Sequence, residues 1–240
     1  MRPNNSRISE RGNVFIFILL GLVLFAALSF TVARGFRSDT TSQMTDRQAE
    51  LLATEIITYG QQMERTVNRL RRNGCSENEI SFENTETAVY TFATRDECKI
   101  FHPDGGKMKP WTIREELGGS SVYPSYSPWR AGGSFFIDDL GSPASELLFY
   151  IGMVNPTLCE AINDKLGVEN TGGGLPFNPG SHIHSVFVGN FDDLGNPPAA
   201  WATWSNSEPD LVGEATACVD YSDRNPSVGL QLYYHTLIIR

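Results

Sequence analysis

The chain has little sulfur or imidazole with which to do chemistry. Its 240 residues include four cysteines, none of them in a CxxC pair, and four histidines. An even number of widely spaced cysteines is poor for zinc and for redox catalysis, and natural for two structural disulfides. The nucleophile elbow, the GK[ST] phosphate loop and the zincin helix are also missing. His182 and His184 would share one face of a strand, but no Cys or acidic trio is placed beside them, so they read as solvated or core histidines. Gly172–Gly174 is a plain loop because no GK[ST] follows it. The expectation is a protein that is not an enzyme and carries no metal and no cofactor. Basic residues are scarce too: 19 Lys and Arg stand against 28 Asp and Glu, a net charge of −9. Residues 1–12 hold three Arg and one Glu, so without them the charge falls to −11. That acidity argues against a nucleic-acid partner and against docking of the soluble part on anionic lipid.

One segment lacks charge altogether. Residues 14–33, VFIFILLGLVLFAALSFTVA, form a 20-residue run with only Ser29 and Thr31 as polar groups. As a helix it is about 30 Å long, the thickness of a bilayer's hydrocarbon core, so it reads as a transmembrane span. Its flanks orient it poorly, since Arg2, Arg7 and Arg11 precede it while Arg34, Arg37 and Arg47 follow. Size orients it better: a short basic N-terminus lies inside, and about 200 residues lie outside, enough for one domain with a core. A secretory signal peptide cut near Thr31-Val32-Ala33 is the competing reading, although its apolar core would normally be only 7–15 residues. Cys75, Cys98, Cys159 and Cys218 all lie beyond the span, outside the reducing cytosol. Three pairings are open to them. Neighbour pairing, Cys75–Cys98 and Cys159–Cys218, gives each half of the domain its own staple, and four free buried thiols are the alternative.

Periodicity predicts the rest. In residues 44–72 the apolar positions Leu52, Ile56, Tyr59, Met63, Val67 and Leu70 fall on one helical face. Arg71-Arg72-Asn73-Gly74 then reads as a stop. With the span, residues 13–72 would make a helical rod of roughly 90 Å. Short β-like runs are expected at 80–82, 87–92 and 99–101. A loop rich in Gly, Pro, Ser and aromatics occupies 103–133, and strands follow at 134–137 and 146–154. Asn155-Pro156 opens a short helix through Leu166 that Gly167 ends. Further strands are expected at 183–191, 201–204, 214–219 and 229–239. The class is α+β: a long N-terminal helix followed by an antiparallel β-sheet domain. Trp111, Trp129, Trp201 and Trp204 either fill the core or line a sugar or peptide surface. Asp138-Asp139 and Asp192-Asp193 sit in similar turns, and two adjacent carboxylates fall short of the six oxygens calcium needs.

A basic leader ending in Arg11-Gly12, an apolar run from Val14, a helix continuing to Arg72 and a disulfide-bearing β domain stand in series. In these features the chain resembles the type IV pilin and type II secretion pseudopilin family. The motif-level likeness covers roughly the first 72 residues. It implies a leader, 1–12, cut by a prepilin peptidase between Gly12 and Asn13. It further implies a helix over 13–72 that holds the subunit in the inner membrane and then packs it among other subunits, and a head, 73–240, in the periplasm or on an extracellular filament. The family usually begins its mature chain with Phe or Met and has Glu at the fifth position; here those positions are Asn13 and Phe17. A minor or tip-type subunit is therefore the closer likeness. The alternative from another class is a membrane-anchored periplasmic module that binds a glycan or a protein through the aromatic 111–129 segment.

Overall fold

The computed structural model describes residues 18–25, 45–85, 90, 92, 94–111, 129–169, 174–176, 186–191, 203–204, 211–220 and 231–240. The chain divides into two compact units, Met1–Gln43 and Met44–Arg240. In the first unit residues 18–25 are helical, and their large apolar side chains are all exposed. The rest of the expected span lies outside the described residues, and so does the continuity of the rod from residue 26 to residue 44. Among the described residues no helix is long and apolar enough to cross a membrane.

The second unit begins with helix α1, Asp46–Arg72, whose ends are written in its sequence. Thr45 is the N-cap in a reciprocal capping box with Gln48, and Asp46 sits where the helix dipole favours an anion. Arg69, Arg71 and Arg72 occupy the last turn, and Gly74 takes the left-handed conformation at φ +94°. Between the caps, Leu52, Ile56, Met63, Val67 and Leu70 are buried, as the periodicity predicts, and Tyr59 is half-buried. At 1.5–3 kcal/mol per side chain, this stripe supplies roughly 10 kcal/mol of gross burial. Ile56→Asp would break it by placing a charge in the middle.

The stripe packs against a sheet of order β3-β1-β2-β5-β4. Its strands are β1 Arg130–Ile137, β2 Glu146–Val154, β3 Thr203–Trp204, β4 Thr216–Asp220 and β5 Gln231–Ile238. Pairs β1–β2, β2–β5 and β4–β5 are antiparallel. The two-residue β3 runs parallel to β1 at Phe136 and Ile137, so the expected all-antiparallel sheet holds for four strands only. A register shift between Gly132 and Phe135 exchanges the faces of β1. Before it, Ala131 joins the α1-side core with Leu147, Phe149 and Ile151. After it, Phe135 and Ile137 join the opposite core with Leu148, Tyr150, Val219 and Tyr234. A bulky residue at the shift would not fit, because a Cβ on Gly133 would lie 2.8 Å from the Phe187 ring.

The second helix, α2, spans Pro156–Leu166 as the sequence predicts. Asn155 caps it by accepting from Thr157 N, Pro156 fills the first turn, and Gly167 ends it at φ +76°. Leu158 and Ile162 are fully buried and Leu166 partly so.

Other expectations need correction. The runs expected at 80–82 and 99–101 meet in a single parallel bridge, Ser81 to Lys99, rather than forming strands, and of the run expected at 87–92 only Tyr90 and Phe92 are among the described residues. Two 3-10 turns, Glu77–Glu79 and Asp96–Cys98, coil the chain there. The following segment folds back on itself, with Gly106 N bonding Lys99 O and Met108 N bonding Ile100 O. Strand β1 starts at Arg130, inside the stretch expected to be loop. Residues 186–191 are not a strand: Phe187 N bonds Ala131 O, and Gly189 then turns away at φ +84°.

Candidate functional site

The leader junction Gly12–Asn13 and Phe17 lie outside the described residues, as do His182, His184, Trp201 and Asp192-Asp193. The four cysteines are placed. Cys75 bonds Cys98 across a Cα separation of 5.7 Å, and Cys159 bonds Cys218 across 5.3 Å, which is the neighbour pairing. No free cysteine remains. The first bond ties the end of α1 to the 3-10 turn at Asp96–Cys98, and the second ties α2 to β4. Trp111 and Trp129 are core residues: Trp111 stacks on Tyr59 at 5.3 Å, and Trp129 lies parallel to Tyr90 at 5.6 Å. Neither offers a face to a sugar. Among the described residues no group of three His, Cys, Asp or Glu side chains could hold a metal.

Two polar clusters join parts of the chain that are remote in sequence. The first sits where α1 crosses β5. Gly60 lets the helix approach so closely that a Cβ there would lie 2.8 Å from Tyr233 Oη and 3.0 Å from His235 Cγ. One turn on, Glu64 Oε2 lies 3.0 Å from His235 Nε2, and Thr216 Oγ1 lies 2.7 Å from His235 Nδ1. With Nε2 protonated, His235 donates to Glu64 while Nδ1 accepts from Thr216, so every polar atom of the ring is used. Burial pulls the imidazole below its ordinary value, and the Glu64 hydrogen bond and charge partly restore it. This row fixes the helix on the sheet through α1, the inner strand β5 and the edge strand β4 together.

The second cluster sits at the start of β2. Glu146 has no exposed surface. Its Oε2 accepts from Ile137 N at 3.2 Å, and its Oε1 has no hydrogen-bond partner among the described residues. Desolvation raises the carboxyl to about 8; backbone N–H groups and the Arg240 charge oppose that rise. Arg240 itself donates to Ser145 O, lies 3.6 Å from Glu77 and stacks 4.2 Å above the Phe191 ring. Glu77 also pairs with Arg71, beside a shallow groove lined by Asn68, Arg71, Arg72 and Ser76. The guanidinium thus joins the ends of α1, β2 and β5 at one corner.

Sequence reasoning singled out none of Glu64, Thr216, His235, Glu146 or Arg240. Only Glu146 left a signal, as the one charge heading the apolar run Leu147–Val154. Both clusters tie separate elements of the fold together. Both ring nitrogens of His235 are engaged within the Glu64–His235–Thr216 row, while the Glu64 carboxylate reaches solvent, and Glu146 lies beneath the surface. What the second unit presents is a doubly stapled head on a capped amphipathic helix. No family model matches the chain, and no curated protein or solved structure matches it either.

Proposed function

We propose that this chain is a pilin-like structural subunit, a minor pilin or pseudopilin, of a Gram-negative type IV pilus or type II secretion filament. Residues 14–33 hold it in the inner membrane, a prepilin peptidase cuts after Gly12, and the helix then packs among the helices of other subunits. The observation that carries the reading is the serial arrangement. An uncharged 20-residue run precedes a capped helix whose stripe from Leu52 to Leu70 lies on a disulfide-bearing antiparallel sheet. Lipid satisfies such an apolar helix, and so do copies of itself, so transfer from membrane to filament core loses little. Repeated head-to-tail contacts of this kind build an open helical polymer when their rotation does not close on itself.

Mass spectrometry of the chain purified from membranes tests the reading. A mature chain beginning at Asn13 is expected, and a chain that keeps residues 1–12 in cells with an active prepilin peptidase refutes it. The alternative, an anchored glycan- or protein-binding module, drew on exposed aromatics at 111–129. The burial of Trp111 and Trp129 removes its two described anchors.

A further inference from the structure

The free edge of β4 is occupied by side-chain chemistry that imitates a neighbouring strand. In the antiparallel pair with β5, Ala217 and Val219 turn their backbone groups inward, and Thr216, Cys218 and Asp220 turn theirs outward. An outward row of N–H and C=O groups is a template for another strand. Here Asn163 of α2, wholly buried, answers it. Its Oδ1 accepts from Cys218 N at 2.8 Å, and its Nδ2 donates to Cys218 O at 2.8 Å. One amide thus makes both hydrogen bonds that an incoming strand would make at that residue. Asp220 N, the next outward donor, bonds Pro176 O at 2.8 Å. Cys159 lies four residues before Asn163, hence on the same helical face, and is bonded covalently to the same Cys218. On the far side of the sheet, where β3 does not cover β1, the outward groups are met in like manner: Ala131 N donates to Tyr90 Oη at 3.0 Å and Ala131 O accepts from Phe187 N at 2.8 Å.

We propose that α2 is an autoinhibitory strap on the sheet. Asn163 fills the strand-acceptor site of β4, the Cys159–Cys218 bond tethers it there, and the competitor it excludes is β4 of a second copy of this chain. Self-pairing fits the strand's own sequence. Antiparallel β4–β4 pairing centred on Cys218 sets Thr216 opposite Asp220 and Ala217 opposite Val219, with no like charges facing. The strap therefore leaves subunit contacts to other surfaces. It does not rest on the reading of residues 13–33 as a polymerising helix.

Amide hydrogen exchange of the full chain in detergent micelles tests it. In Asn163→Ala the Cys218 amide is expected to exchange about tenfold faster, while the inward Val219 amide stays within twofold. Asn163→Asp keeps the oxygen that accepts from Cys218 N, so the same amide should stay within about threefold of the wild type. When Asn163→Ala is combined with Cys159→Ala and Cys218→Ala, protection at position 218 should return as protein concentration rises tenfold, along with a sedimenting dimer. The chain lacking only the disulfide provides the second measurement, and an intact Asn163 should keep it monomeric with position 218 protected. Three results would overturn the strap: unchanged exchange at Cys218 in Asn163→Ala, equal acceleration at Cys218 and Val219, or a triple variant that stays monomeric at every concentration.

Discussion

Replacing Glu146 by Gln should stabilise the protein at neutral pH and should do so more strongly as pH rises. Burial holds the carboxyl at about 8, against 4.5 in an unfolded chain. At pH 7 the folded chain therefore keeps a proton that the unfolded chain has released. At roughly 1.4 kcal/mol per pH unit, recapturing it costs about 3 kcal/mol. The sign follows from a folded value above the unfolded one: the favourable protonated state is fully available below pH 4.5, and its contribution is lost as pH rises through 8. In Glu146→Gln the amide oxygen can still accept from Ile137 N, but its NH2 must take the place of Oε1, which has no partner among the described residues. That leaves a buried donor unmet at about 1–3 kcal/mol. The expected net gain is about 1 kcal/mol at pH 7. The more secure quantity is the difference in pH dependence, in which the unmet donor cancels. Denaturant unfolding of the full chain in detergent micelles measures it. Between pH 5 and pH 8 the wild type should lose about 3 kcal/mol relative to Glu146→Gln. The shared His235 background drops out of that comparison. A gap that stays constant with pH would refute the reasoning, and would mean that Arg240 keeps the buried carboxylate ionised.

Three further outcomes are expected. Gly60→Ala, which in an exposed helix would help, should here cost about 1–3 kcal/mol in thermal unfolding because the new Cβ meets Tyr233 and His235. His235 should titrate below 6.5 by NMR, and lower still in Glu64→Gln; its contribution to stability is present above pH 6.5 and is lost as pH falls through the folded value. Removing the Cys75–Cys98 bond, which closes a 23-residue separation, should cost about 3 kcal/mol by calorimetry. Loss of Cys159–Cys218, which spans 59 residues, should cost about 4 kcal/mol.

Local signals were legible where a short stretch decides its own conformation. Asn155, Pro156 and Gly167 mark both ends of α2, and the apolar steps from Leu52 to Leu70 mark the buried face of α1. Strands β2 and β5 could be read because each is an apolar run bounded by turn residues. The start of β1 could not, since Gly132, Gly133 and Ser134 look like loop and the register shift there breaks the period of two. Residues 80–101 misled for the converse reason. Phe82 and Ile100 are apolar and fully buried, but a disulfide, two 3-10 turns and one isolated bridge hold them there rather than a ladder among the described residues. The polar rows were invisible because their members are far apart along the chain: Glu64 meets His235 across 171 positions, and Asn163 meets Cys218 across 55. No window along the sequence contains either pair.

The order of the sheet also sets a timetable. Strand β5 is the last of the five along the chain, yet it lies between β2 and β4 and pairs with both. Until residues 231–238 have emerged, β4 has no strand to join, and β2 is paired on one side alone. Pairings that span such long stretches form slowly, because the intervening chain must be gathered in before any of them closes. A sheet of this design stays open until its last strand is available and closes only then. Stop codons before residue 231 would thus remove an inner strand of the sheet and leave β4 without a partner, rather than trimming an edge.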